Sequence, residues 1–143
     1  MSLKILYTAH AAAIGGRNGH TENDNGLVKA DLSVPKAMGG PGKPDTTTPE
    51  DLFAAGYAAC FGGAVDFMAH QLKLVPKSVE IKSAVSIGQK EGGGFGLAVE
   101  MEALIGGLSQ EDAEKIVQAG HSICPYSNAI KGNVEVTIKV TVV

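Results

Sequence analysis

Residues 48–72 constrain the fold of this chain most strongly, because no charged side chain occurs between Asp51 and Asp66. The stretch begins like a helix: Thr48 can cap the N-terminus with its hydroxyl group, and Pro49 suits the first helical position. A helix without a polar face cannot lie on a protein surface, so we expect a central, buried helix. The uncharged run is shorter than the about 20 apolar residues that cross a bilayer, so we expect no membrane span.

Length, charge and cysteine content narrow the class of protein. The chain has 143 residues, and we expect a single domain over residues 1–143. The formal net charge is -3 and the basic residues are scattered, so we expect no nucleic-acid partner. The N-terminal segment alternates like a strand rather than a secretory signal, which predicts a cytoplasmic protein. Its two cysteines should then stay reduced and pair only as part of the chemistry.

Alternation of polar and apolar residues predicts strands on both sides of the central helix. The predicted strands span residues 5–12, 27–33, 79–87, 97–105 and 134–142. The first two should form a hairpin with a long glycine-rich connection, and the next two a second hairpin. A shorter helix should precede the last strand, capped by Ser109 and ended by Gly120. This ββαββαβ order favours an α+β fold, with an antiparallel sheet around the buried central helix.

The two cysteines are the first candidates for chemistry. A buried free cysteine is commonly no more than a small hydrophobic residue, and this interpretation stays open for Cys60 alone. Cys124 lies just past a helix end and before a proline, where its side chain is held but can still be reached. Two distant cysteines in a chain that needs no disulfide for stability fit a nucleophile and a resolving thiol.

A metal site is the alternative for the same residues. His121 and Cys124 have a His-x-x-Cys spacing, and Cys60 could supply a third ligand. No second local pair of ligands accompanies them, although zinc sites built from local pairs normally show two. We therefore expect no metal. The remaining histidines should lie on strand, loop and helix surfaces, respectively: His10, His20 and His70.

A thiolate in an apolar helix needs a cation, because an unperturbed thiol with a pKa of about 8.5 is only slightly ionised near pH 7. Arg17, in the early glycine-rich loop, is the best placed by context, although it could simply be a solvated loop residue. Glu50 could be a helix-start carboxylate or the partner that holds Arg17. Because Glu50 and Cys60 are roughly 15 Å apart along one helix, a shared site would need bridging loops or a second chain.

Several motifs resemble those of the organic hydroperoxide resistance proteins, a branch of the OsmC-like family. The most specific is Pro-Glu-Asp-Leu-Phe-Ala-Ala-Gly-Tyr-Ala-Ala-Cys-Phe at residues 49–61. Shorter ones are Gly-Gly-Arg-Asn-Gly at residues 15–19, Gly-Gly-Pro-Gly at residues 39–42 and Cys-Pro-Tyr-Ser at residues 124–127. The arginine in the first loop resembles this branch rather than its relatives.

The resemblance implies a thiol-dependent peroxidase that reduces organic hydroperoxides in antioxidant defence. It also implies an intertwined homodimer with active sites at the subunit interface. By this resemblance Cys60 is the peroxidatic cysteine and Cys124 resolves its sulfenic acid as a disulfide. Arg17 activates the thiol, and Glu50 orients Arg17. No bound cofactor is implied, since an external dithiol such as the lipoyl group of a partner protein reduces the disulfide.

Two other classes of function remain open. A non-enzymatic binder of hydrophobic ligands would tolerate replacement of Cys60 by serine. A metal-dependent enzyme would carry zinc and lose activity to chelators. A more distant OsmC-like peroxidase is a nearer alternative, which would differ mainly in its peroxide preference.

Overall fold

A computed structural model describes residues 2–143, which contain three helices and two three-stranded sheets. The chain forms two compact units, one ending at Leu52 and one running from Phe53 to Val143. The predicted α+β class is confirmed. The single domain stays a prediction.

The first unit contains a small antiparallel sheet in the order β1-β2-β3. Its strands are β1 (Ala11–Ile14), β2 (His20–Asn23) and β3 (Lys29–Asp31). The predicted pairing of the first and last of these strands is wrong, because β2 lies between them. Its sequence, His-Thr-Glu-Asn, has no apolar alternation and therefore predicts a loop instead of a strand. The first strand also begins later than expected, at Ala11 instead of residue 5.

Helix α1 spans Pro49–Gln71 and begins as the sequence predicts. The backbone N–H of Asp51 donates to Thr48 Oγ1 at 3.1 Å, and Thr48 N–H donates to Asp51 Oδ2 at 3.2 Å. Each residue therefore satisfies a backbone donor of the other, which is the reciprocal arrangement of a capping box. This cap fixes the residue at which α1 starts, and so the place of Glu50 in its first turn.

The second unit contains a sheet in the order β4-β5-β6. The predicted second hairpin is confirmed, with β4 (Ser78–Gln89) antiparallel to β5 (Phe95–Gly106). The last strand, β6 (Glu135–Val142), runs parallel to β5, unlike the antiparallel arrangement expected. Two helices occupy the connection: α2 (Gln110–Ile123) and α3 (Pro125–Ile130). A helical crossover of this length joins parallel strands, since antiparallel neighbours need only a short turn.

Burial along α1 is confined to one stripe, which is narrower than the all-round burial expected. Its buried residues recur every three or four positions: Tyr57, Phe61, Ala64, Val65 and Ala69. They belong to one core cluster with residues of β5 and α2. Other parts of the helix face outward, and Phe67 is 55% exposed. Part of the apolar surface of α1 is therefore exposed to solvent in the described part of the chain.

By length and composition alone, α1 is also apolar enough to cross a membrane. Its 23 residues include an 18-residue stretch with a mean hydropathy of 1.4. Core helices have the same properties, and five side chains of α1 belong to the hydrophobic core. The hydropathy of α1 is therefore weak evidence for a membrane span.

Gly120 does not end α2, as the sequence suggested, but lies inside it. A Cβ atom at Gly120 would lie 2.7 Å from Val65 Cγ2 and 2.9 Å from the Val65 Cα atom. Such distances are not tolerated, so only glycine lets α2 approach α1 this closely. Helix α2 continues to Ile123, which brings Cys124 next to α1.

Candidate active site

The two cysteines of the chain lie side by side. Cys60 belongs to α1 and is half-buried, whereas Cys124 is 0% exposed. Both are free thiols, and the Cys124 Sγ–H points at Cys60 Sγ across 3.7 Å. A disulfide needs sulfurs about 2.05 Å apart, so the pair is one small movement from bonding. Residues 64 positions apart are thus arranged as a reachable thiol and a sheltered thiol.

Cys124 is held by the two helices that meet at it. Its backbone N–H donates to Gly120 O at 2.8 Å, which closes α2. Its carbonyl oxygen accepts from the N–H of Asn128 at 3.0 Å, which opens α3. Pro125 occupies the first position of α3, where a missing N–H costs nothing. The position of the Cys124 sulfur therefore depends on how α2 and α3 are joined.

Burial raises the pKa of the Cys60 thiol above its ordinary value. The backbone N–H of Tyr126 opposes this rise by hydrogen-bonding the sulfur, while the neighbouring Cys124 adds to it. A raised pKa means that the thiol form dominates near pH 7. The arrangement around Cys60 therefore still calls for a positive group when the thiolate has to react.

Arg17 and Glu50 form a bidentate ion pair within the first unit. Arg17 Nη1 donates to Glu50 Oε2 at 2.9 Å, and Nη2 donates to Oε1 at 2.6 Å. Arg17 belongs to a 3-10 turn that Gly15 and Gly19 flank. Gly15 has a φ of 77°, and a Cβ at Gly19 would collide with the carbonyl oxygen of Ile14, so the turn requires both glycines. The loop glycines thus shape the turn that presents Arg17.

The ion pair shifts both of its members toward their charged forms. The hydrogen bond from Arg17 lowers the pKa of Glu50, and the same bond raises the pKa of Arg17. The carboxylate is the more sheltered partner, with 13% of its side chain exposed against 38% for the guanidinium. A carboxylate that takes two guanidinium donors fixes their plane and leaves the remaining N–H groups of Arg17 for another acceptor.

Replacing Glu50 with glutamine should remove a pH-dependent part of the stability. The folded pKa of Glu50 is lowered, so its contribution is fully present above the unfolded pKa of about 4.3 and disappears as the pH falls through the folded pKa. Urea titrations should show native protein more stable than Glu50→Gln at pH 7, with the difference shrinking as the pH falls below the unfolded pKa of about 4.3. Glu91→Gln, at an exposed turn, is the control. A difference that stays constant over this range would contradict the pairing.

The structure also adds three residues that the sequence did not single out together. The hydroxyl groups of Tyr57 and Ser127 lie 2.6 Å apart, and Ser127 Oγ lies 2.9 Å from His121 Nδ1. One ring nitrogen of His121, Nδ1, is thus engaged in a hydrogen bond. Among residues 2–143, no group of three or more His, Cys, Asp or Glu side chains is arranged to hold a metal ion.

The other histidines lie near the surface, although not all in the elements expected. His70 is exposed on the last turn of α1, as predicted. His20 belongs to strand β2 instead of a loop, and it bonds Glu22 and Asp31. His10 is exposed and precedes β1.

Comparison with known proteins decides the family. The model of the OsmC-like protein family matches residues 40–139. The organic hydroperoxide resistance protein of Xanthomonas axonopodis pv. citri is 48% identical over 136 residues, which cover 94% of either chain. The chain is an OsmC-like protein. It belongs to the organic hydroperoxide resistance branch of this family, so the resemblance drawn from its motifs is confirmed.

Solved structures of OsmC-like proteins share the fold over almost the whole chain. The organic hydroperoxide resistance protein of Legionella pneumophila has a TM-score of 0.91 at 48% identity, covering 96% of this chain and 99% of its own. A similar protein of Vibrio cholerae, crystallised with captopril in one of its active sites, has a TM-score of 0.89 at 41% identity. That match covers 98% of this chain and 95% of the other. The architecture of this OsmC-like protein is thus that of its relatives.

Proposed function

We propose that this OsmC-like protein is a thiol-dependent peroxidase that reduces organic hydroperoxides to alcohols. The observation that carries the proposal is the pair of free cysteines 3.7 Å apart, of which one is half-buried and the other fully buried. Such a pair fits a solvent-accessible nucleophile that attacks the substrate and a buried thiol that then resolves the sulfenic acid. Membership of the organic hydroperoxide resistance branch supports a role in resistance to these peroxides.

The first step is attack on the peroxide by Cys60. Its thiolate displaces the alkoxide from the terminal oxygen of ROOH, so the O–O bond breaks and a Cys60 sulfenic acid forms. The alkoxide takes the proton that the thiol released and leaves as the alcohol. The Tyr126 N–H, which already donates to the Cys60 sulfur, stabilises the thiolate that starts this step.

The second step is disulfide formation. The Cys124 sulfur attacks the sulfur of the sulfenic acid, the S–O bond breaks, and the leaving hydroxide takes the Cys124 proton to form water. The two sulfurs must approach by more than about 1.5 Å to reach the length of a disulfide. Because they already touch, this step needs a local adjustment rather than a rearrangement of the fold.

The third step returns both thiols with the help of an external dithiol, for which we propose a lipoyl group on a partner protein. One thiolate of the reductant attacks the Cys60 sulfur, since Cys124 is 0% exposed and is out of reach. Cys124 leaves as the thiolate and takes a proton, and the second thiol of the reductant then frees Cys60. No cofactor bound to the protein is required by this cycle.

Arg17 is proposed as the group that activates the peroxidatic thiol, and Glu50 as the group that orients Arg17. The two-point ion pair supports the second role, because it holds the guanidinium plane in one direction. For the first role, a fixed guanidinium can offer its other N–H groups both to a thiolate and to the oxygen that gains charge as the O–O bond breaks.

A homodimer is also part of the proposal. In the first unit, Leu3, Leu6 and Tyr7 are 74%, 89% and 84% exposed. In the second unit, Phe67 of α1 is 55% exposed. Large apolar side chains with such exposure are typical of surfaces that bind another protein. A second copy of the chain would cover them and is the proposed setting for an active site at each subunit interface. A cytoplasmic location is proposed as well, because it keeps both thiols reduced.

The deciding experiment adds one equivalent of cumene hydroperoxide or of hydrogen peroxide to the reduced protein. Thiol loss is followed over time, and the disulfide is mapped by mass spectrometry without reduction. We expect a Cys60–Cys124 disulfide that forms faster with the organic peroxide. Light scattering on the same sample should give about twice the 14.7 kDa mass of the chain if the dimer forms.

Survival of both thiols would end the peroxidase proposal. A chain without reactive thiols would then be tested for zinc and for binding of hydrophobic ligands. Equal rates with the two peroxides would leave a peroxidase but remove its preference for organic substrates. A mass near that of one chain would remove the homodimer and its shared active sites.

A further inference from the structure

We propose that His121, Ser127 and Tyr57 are positioning residues for the resolving cysteine. Together they form a hydrogen-bonded chain that holds the Cys124 sulfur where it can attack Cys60. The inference rests on the proposed thiol chemistry, but it concerns only the step in which Cys124 acts. It predicts that removing these hydrogen bonds slows formation of the Cys60–Cys124 disulfide and leaves the reactivity of Cys60 unchanged.

The hydrogen-bonded chain runs from the surface into the core. His121 and Ser127 line a cleft of about 280 Å³, and Ser127 itself is 3% exposed. Ser127 Oγ bridges His121 Nδ1 at 2.9 Å and the Tyr57 hydroxyl at 2.6 Å, and Tyr57 is 0% exposed. One serine hydroxyl therefore satisfies two neighbours, of which the phenol has no access to solvent.

The three residues come from the three helices that carry or flank the two sulfurs. Tyr57 lies on α1 three positions before Cys60, which places both residues on one side of that helix. His121 belongs to the last turn of α2, and Ser127 to the first turn of α3. Cys124 is the residue at which α2 ends and α3 begins. These hydrogen bonds thus connect α1, which carries Cys60, to α2 and α3, which meet at Cys124.

The surroundings of Tyr57 link it to the residues that follow Cys124. Burial raises the pKa of its phenol, and the charges of Cys124 and Cys60 raise it further, although Ser127 opposes the rise. Tyr57 also packs its ring against Tyr126, with 5.9 Å between ring centroids, and Tyr126 donates its backbone N–H to Cys60. Tyr57 therefore contacts α3 at two residues, Tyr126 and Ser127, that closely follow Cys124.

Removing the Ser127 hydroxyl would leave the buried phenol of Tyr57 without its partner. Buried hydroxyl groups move to find new partners because an unpaired one is costly. Here the groups that can move are α3 and the α2–α3 junction, which carry Cys124. A displacement of about 1 Å between reacting atoms can slow a reaction up to about a hundredfold. Attack by Cys124 should be slowed, since it needs a defined approach to the other sulfur.

The test uses dipyridyl disulfide, so it needs no peroxide. Cys60 attacks the reagent, releases one thiopyridone and keeps the other half as a mixed disulfide. Cys124 then attacks the Cys60 sulfur, and the second thiopyridone leaves as the Cys60–Cys124 bond forms. The chain has no other cysteine, so the two phases of absorbance report one step each.

In Ser127→Ala we expect the second phase to slow between about tenfold and a hundredfold, while the first phase stays within about twofold of native. Tyr57→Phe removes only the other hydroxyl of the pair and should slow the same phase. Ser122→Ala is the matched control, because the hydroxyl of Ser122 bonds Ala119 O and takes no part in the chain. The double variant of Tyr57 and Ser127 should be no slower than the slower single variant.

Unchanged second-phase rates in both Ser127→Ala and Tyr57→Phe would overturn the proposal. Equal slowing of both phases would also overturn it, since that result describes a general disturbance of the fold. If Ser127→Ala does not fold, Tyr57→Phe decides alone, because it keeps the ring in the core. The peroxidase proposal is tested separately with one equivalent of peroxide. A protein that closes its disulfide but ignores peroxide would refute that proposal and leave this one standing.

Discussion

A Cys60→Ser variant should lose all measurable reduction of cumene hydroperoxide, whereas Cys124→Ser should still consume one equivalent. The difference follows from exposure: Cys60 is half-buried and accepts the Tyr126 N–H, but Cys124 is 0% exposed. A serine hydroxyl cannot form a sulfenic acid, and the sheltered thiol cannot replace it as the nucleophile. Peroxide consumption and intact-protein mass, measured on each reduced variant, check this expectation.

The oxidised product of Cys124→Ser shows whether Cys124 acts as the resolving thiol. Without a resolving thiol, the Cys60 sulfenic acid should persist after the first equivalent of peroxide and become sulfinic acid with excess peroxide. Native protein should instead show the mass of the internal disulfide. If Cys60→Ser kept a near-native rate, the roles of the two cysteines would be exchanged. If the native mass showed only sulfinic acid, Cys124 would not act as the resolving thiol.

The parts of the fold that sequence predicted well are those set by local chemistry. Thr48 and Asp51 cap α1 through their own backbone and side-chain atoms, so nothing distant is needed to place this end of the helix. Similarly, Ser109 caps α2 by accepting from the N–H of Asp112. The hairpin of β4 and β5 shows the regular alternation of a half-buried strand pair, with a short glycine-rich turn between them.

The predictions that failed concern features that depend on residues elsewhere in the chain. Strand β2 is polar throughout and exists because it has a neighbour on each side, which its own sequence does not show. Gly120 has the appearance of a helix terminator, yet its role is the close approach of Val65. The parallel pairing of β5 and β6 was within reach, since the connection between them contains a predicted helix and is too long for a hairpin.

The site shows the same division. The sequence indicated both cysteines as candidates for the chemistry, but their separation of 3.7 Å depends on α2 and α3 packing beside α1. The link of Tyr57 to Ser127 joins residues 70 positions apart, and no local pattern predicts such a contact. One sequence signal was available for α3: a proline directly after Cys124 suits the first position of a helix as well as the end of one.

Arg17→Lys should keep the fold and lose about a hundredfold or more of the rate at which Cys60 reacts with cumene hydroperoxide. Arg17 gives two N–H groups to the two oxygens of Glu50, at 2.9 Å and 2.6 Å, and has further N–H groups for a second acceptor. A lysine ammonium is one point of charge on a flexible stem, so it cannot bond both oxygens in the same plane. The variant would keep a positive charge at this position but lose the fixed orientation of the N–H donors.

The charge of residue 17 and the orientation of its N–H donors have separable effects, because ionisation of Cys60 alone changes the reaction rate only to a limited extent. Lowering a thiol pKa from about 8.5 to about 6 raises the thiolate fraction near pH 7 only about thirtyfold, and the thiolate also becomes a weaker nucleophile. The remaining effect has to come from hydrogen bonds to the departing oxygen, which depend on geometry. Lysine should therefore restore part of the thiolate and little of the rate. A titration of Cys60 and a rate measurement on the same variant separate the two effects.

The controls for Arg17→Lys use a property of the chain itself. Arg17 is its only arginine, so phenylglyoxal has one arginine target and should inactivate the native protein by modifying that side chain. Lys36→Arg, at an exposed position, adds a second guanidinium at another site on the chain and should leave the rate unchanged. A near-native rate in Arg17→Lys, with native stability in urea, would mean that charge alone activates Cys60. The two-point pairing with Glu50 would then serve the stability of the first unit and not the reaction.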